Sequence, residues 1–164
     1  MVDADIYGAF AVLIEAFAQN ASPALTVSYP GIDFTPPAEG EWLEMRFFPN
    51  ETQNVGLADD GPSAHRGFVQ LTACHRPGVG IVSGITLAGA IIAQFAKGST
   101  IGNATVEKKP WLSSVVTMDD RICHPVTIPY RRMTTEEMAY ALFLDEGNST
   151  TTYTSALQIF GGGA

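Results

Sequence analysis

HRGFVQLTACHRPGVGIVSGITLAGAIIAQFAK, residues 65–97, decides the fold class of this chain. From His65 to Arg76 it is rich in strand formers between breakers. Pro77, Gly78 and Gly80 then mark a tight turn. Beyond them Ile81, Ile85, Ala88, Ile92 and Phe95 recur at steps of four, three, four and three, which keeps one helix face apolar. Leu87 and Ile91 lie away from that stripe, and only Ser83, Thr86, Gln94 and Lys97 are polar. A surface helix normally carries a charged side, so the second face of this one needs cover. Burial against another helix of the chain and contact with a second subunit both meet that need. Leu87 and Ile91 are the candidate subunit-interface residues.

Upstream, Leu43, Met45 and Phe47 alternate with Trp42, Glu44 and Arg46, the pattern of a half-buried strand. It bends at Pro49 and Asn50 and continues through Val55 and Leu57. With a tip over residues 58–63 it forms a long antiparallel hairpin with residues 65–76, and Asp59 and Asp60 sit at that tip. Ile6, Phe10, Leu13 and Phe17 predict a first helix over residues 3–19, with Asp3 and Asp5 suited to its dipole. Leu25, Val27 and Tyr29 suggest a short strand. Downstream, residues 100–107 read as a weak strand, and residues 111–118 pair with 121–131 about Asp119 and Asp120. Pro125 and Pro129 are four apart, so both missing N–H groups fall on one edge of the last strand. That places it at a sheet margin or against a differently bonded neighbour. Thr134 and Glu137 fit a capping box, and Tyr153, Leu157, Ile159 and Phe160 anchor a closing strand. The chain reads as α+β: a mostly antiparallel twisted sheet flanked by two apolar helices, with a C-terminal helix-plus-strand arm.

With 164 residues the chain suits one main domain. A formal charge of −8 argues against sequence-independent DNA binding, which needs a basic surface. Cys74 and Cys123 read as unpaired thiols of a reducing compartment, with one bridge between them left open. The N-terminus has no basic region of a secretory signal. Residues 81–96 fall short of the ~20 that a membrane span requires, so a buried helix is expected and no membrane partner.

Catalytic signatures are missing. Cys74-His75 and Cys123-His124 invite a metal, but neighbours on a strand point to opposite faces, and the usual zinc spacings do not occur. Gly78-Val79-Gly80-Ile81-Val82-Ser83 resembles the start of a dinucleotide fingerprint without its third glycine, and a tight turn explains the glycines. Asp119 and Asp120 read as solvated turn residues. No metal, cofactor or catalytic residue is assigned, and the chain is expected not to be an enzyme.

Four stretches carry a resemblance: residues 34–45 (FTPPAEGEWLEM), 65–71 (HRGFVQL), 77–80 (PGVG) opening an apolar helix, and 125–131 (PVTIPYR). In this order they resemble the tail terminator, or tail completion, proteins of long, non-contractile-tailed phages of the lambda type. The resemblance runs from Ile6 to Arg132, giving a tail-terminator-like domain over residues 1–132; residues 133–164 lie outside it and read as a C-terminal extension or docking arm. It implies a structural virion protein at the tail–neck junction, assembled in the host bacterial cytoplasm as a ring, typically a hexamer. Such a ring caps the tail tube protein, ends polymerisation, meets the head–tail connector or stopper protein, and lets DNA pass without specific binding. On this reading Asp59 and Asp60 face the channel or the tube, and Tyr153, Leu157, Ile159 and Phe160 dock on a neighbour. Another head–tail joining or neck ring protein is the alternative. A small α+β enzyme or ligand-binding module is the third reading.

Overall fold

The computed structural model describes residues 1–55 and 61–133. Asp59, Asp60 and the arm residues Tyr153, Leu157, Ile159 and Phe160 therefore lie outside the described residues. The elements are α1 (Val2–Asn20), β1 (Thr26–Ser28), β2 (Glu41–Pro49), β3 (Gln53–Asn54), β4 (Ser63–His75), α2 (Val82–Gln94), β5 (Thr100–Ile101), β6 (Ala104–Val106), β7 (Trp111–Leu112), β8 (Val116–Thr117) and β9 (Ile122–Met133). Two compact units divide the chain: residues 1–52 with 65–132, and residues 53–64 with 133–164. In the smaller unit, Gln53 and Asn54 pair antiparallel with Ala64 and Ser63.

The larger unit is α+β, as expected. Its sheet runs β1-β2-β4-β9-β6-β5, with β7 and β8 also pairing with β9. The long hairpin forms in continuous antiparallel register, from Glu41 opposite His75 to Pro49 opposite Gly67. At the margin β1 joins in parallel, on β2. Both helices cover the same sheet face. Ile6, Phe10, Ile14 and Ala18 of α1 meet Ala88 and Ile91 of α2 and the inward residues Leu43, Met45, Val69, Leu71, Val126, Ile128 and Tyr130 in one core. Aromatic rings link the layers. Phe10 lies 6.1 Å from Phe95 and 5.8 Å from Tyr130, and Tyr130 stacks on Phe47 at 5.6 Å. Each such pair adds about 0.5–1.5 kcal/mol beyond area burial.

One expectation needs correction. The helix α2 is rotated relative to its expected phase. Gly84, Ala88 and Ile91 face the core, Leu87 packs against it, and Ile81 and Ile85 are exposed. Ile91 is thus fully buried within its own subunit, and the pair Leu87 and Ile91 does not form an outward interface. Of the two settings left open for β9, it takes the second: it lies between β4 and β6, against a differently bonded neighbour, and not at the margin. The constraint from its prolines is met by breaking the neighbour. On the proline edge β9 meets three short strands, β6, β7 and β8. Between them Glu107 N–H donates to the Pro129 carbonyl at 3.0 Å and Ser113 N–H to that of Pro125 at 2.7 Å. No partner strand is left waiting for the missing donors.

Candidate interaction surfaces

The two Cys-His dipeptides become neighbours across β4 and β9, and strand alternation separates their chemistry. Cys74 and Cys123 form a disulfide on the sheet face away from the helices. The unpaired-thiol expectation is overturned: adjacent strands bring the two same-facing sulfurs together. His75 and His124 meet on the opposite face, beneath α2. Among the described residues no group of three or more His, Cys, Asp or Glu side chains is placed to hold a metal.

Over the disulfide lies Trp42, fully buried although its alternation predicts an outward side chain. Phe34 packs against this small second core. Two guanidinium groups lie over the indole, Arg76 at 5.3 Å and Arg121 at 5.7 Å from its centroid. Arg76 reaches the Pro37 carbonyl at 3.0 Å and the Asp120 carbonyl at 3.1 Å. Arg121 bonds Glu44 at 2.8 Å, and Glu44 in turn accepts from the Trp42 indole at 3.1 Å. The hydrogen bond from Arg121 holds the Asp120 carboxyl below its usual range. These part-exposed ion pairs add little stability each, about 0.2–1 kcal/mol. Their effect is positional, since they clamp the loop at residues 36–37 and the turn at 119–121 onto the strands. The cluster of Trp42 with two arginines was the feature least visible in the sequence, because its members are spread over residues 34–121. The repeated Cys-His dipeptide was the one available signal.

The rest of this sheet face carries a groove of about 490 Å³, lined in part by Arg66, Phe68, Gln70, Glu107, Trp111 and Pro129. Trp111 is 47% exposed there, and Phe68 stacks on the exposed Phe48 at 4.7 Å. An apolar surface lies at the start of α2. Val79 is 72% and Val82 74% exposed, with Ile81 and Ile85 beside them. No charged side chain occurs between Ile81 and Gln94. Positive φ values of 103° at Gly78 and 79° at Gly80 make the preceding turn a matter of backbone geometry, so the glycines that resembled a phosphate cradle are explained by the turn.

The four stretches that carried the sequence resemblance converge here. Residues 34–37 lie against Arg76 and Trp42, residues 41–45 and 65–71 form the hairpin, residues 77–80 open α2, and residues 125–131 run through β9. A family model described as phage tail terminator protein matches residues 5–130. The chain belongs to that family, and is thereby a structural component of a phage tail. One solved structure is similar with a TM-score of 0.65 and 26% identity, over 79% of this chain and 94% of that one. No curated protein sequence matches the chain. No helix among the described residues is long and apolar enough to cross a membrane.

Proposed function

We propose that this chain assembles into a closed ring, of six subunits by the sequence resemblance, that caps the phage tail tube and ends its polymerisation. The same ring joins the tail to the head-side connector or stopper protein and leaves a channel for DNA. The family match over residues 5–130 carries this reading. The two unlike surfaces on one subunit, a groove of mixed polar and aromatic lining and an uncharged helix face, support it. Contact between different faces of identical chains is heterologous and generates a ring when the rotation closes. The occupant of the α2 face at Val82 and Ile85 is a second copy of this chain. An uncharged face can be covered without stripping water from an ion. The acidic balance, −8 overall, suits a channel wall that does not hold the DNA backbone. Asp59 and Asp60 are proposed for the channel or the tube side. Tyr153, Leu157, Ile159 and Phe160 are proposed as an arm added to a neighbouring subunit or ring protein, a mode that supplies main-chain hydrogen bonds and side-chain pockets.

Electron microscopy of the purified protein, alone and with tail tubes, tests the set. Closed rings of about six should seat on tube ends, and a chain ending at Arg132 should fold yet assemble less. A protein that stays monomeric in both preparations overturns the ring. A map with residues 59–60 on the outer rim rejects the channel assignment, and undiminished assembly of the shortened chain rejects the arm.

A further inference from the structure

The buried pair His75 and His124 has no part in the surfaces above, and its hydrogen bonding fixes where each proton sits. The rings lie with Nε2 atoms 3.1 Å apart, centroids 5.3 Å apart and planes within 19°. Face-to-face rings would bring the centroids about as close as the nitrogens, so these imidazoles meet edge to edge, nitrogen to nitrogen. His75 Nδ1 lies 2.9 Å from the Arg76 carbonyl, which can only accept, so Nδ1 carries a proton. A neutral His75 then has a bare Nε2, and His124 must donate to it from its own Nε2–H. His124 Nδ1 is left without a proton, and it is buried with no hydrogen-bond partner among the described residues.

We propose that this pair is a one-proton latch: a single hydrogen between the facing nitrogens seats α2 on the sheet, and one further proton unseats it. The helix rests directly on the rings at Gly84. A Cβ there would overlap the His124 ring and stand 3.0 Å from His75 Cδ2. The site cannot widen to admit water while the helix is seated. A further proton on His124 Nδ1 produces an imidazolium with no acceptor, in a site that is 0% exposed and lies near the positive end of α2.

The charged surroundings are few. From β2 the Glu41 carboxylate acts on His124 and favours its charged form, while burial and then His75 oppose it more strongly. Just after β4, Arg76 directs its side chain to the opposite face. The β9 neighbours Cys123 and Pro125 are uncharged, and α2 contributes no charge. The balance holds His124 below its ordinary range. A depressed histidine stabilises the seated state fully above the unfolded value near ~6.5 and loses that contribution as the pH falls below it.

Long-range proton–nitrogen NMR of the full chain should find His75 with its proton on Nδ1 and His124 with its proton on Nε2 at pH 7.5. Hydrogen exchange, corrected for intrinsic rates, should show α2 amides losing protection about tenfold per pH unit just below ~6.5, one proton's worth, while α1 holds. The His124→Gln protein should lose that pH dependence, and His65→Asn, which removes the third imidazole, should keep it. The proposal is overturned if both rings hold the same tautomer, if α2 and α1 lose protection together, or if His124→Gln keeps the wild-type profile. Should His124→Gln not fold, the wild-type tautomers and exchange profile decide alone.

Discussion

Tyr130 shows how tightly single residues are fitted here. Its ring stacks on Phe47 and packs at a tilt against Phe10, and its hydroxyl is buried without a hydrogen-bond partner among the described residues. Gly67 makes the room, because a Cβ there would meet both that hydroxyl and the Phe48 carbonyl. Burial, then the charge of Asp3, push the phenol above its ordinary range, so it stays protonated throughout the neutral region. An unsatisfied buried hydroxyl costs about 1–3 kcal/mol, and removing it can be neutral or favourable. Tyr130→Phe should therefore unfold at an unchanged or higher temperature in calorimetry. A loss above about 1 kcal/mol would mean the hydroxyl has a partner after all.

At the scale of elements, the strands were legible and the helix phase was not. Alternation of Leu43, Met45 and Phe47 with polar neighbours gave β2 its inward face, and the paired runs on either side gave the hairpin. In α2 the same reasoning lacked a reference, because a helix without charges has no polar side to set its phase. Packing chose the small residues Gly84 and Ala88 for the inner face, where the histidine pair leaves no room for Ile81 or Ile85. Trp42 and the cysteines were obscured for a different reason. Their burial is made by loops and turns far away in sequence, and no local period reports it. The disulfide, linking residues 49 apart, should contribute about 4 kcal/mol by restricting the unfolded chain. The doubly substituted Cys74→Ala, Cys123→Ala protein should show a lower denaturant midpoint by that measure. Coincident transitions for it and the oxidised parent would show that the bridge contributes nothing.

For the whole molecule, the proposed ring makes a sharp demand on the exposed start of α2. Val82 is the first residue of the helix, where an acidic side chain interacts favourably with the helix dipole. Val82→Glu should leave the subunit as stable as before, within about 0.5 kcal/mol. Burying that carboxylate against a second subunit would be unfavourable, so the variant should sediment as a monomer where the parent forms rings. Rings persisting in the variant would move the interface elsewhere.

The edges of the sheet carry a further consequence. At one margin β1 has three residues, and at the other β5 has two. Main-chain pairing with a passing strand needs a longer rail than either of these described edges provides. Growth by pairing β1 or β5 of one subunit with the same edges of another is thereby discouraged, which leaves side-chain surfaces and the proposed arm to govern association. A molecule proposed to stop one polymer is, by the shortness of its own margins, poorly equipped to begin another.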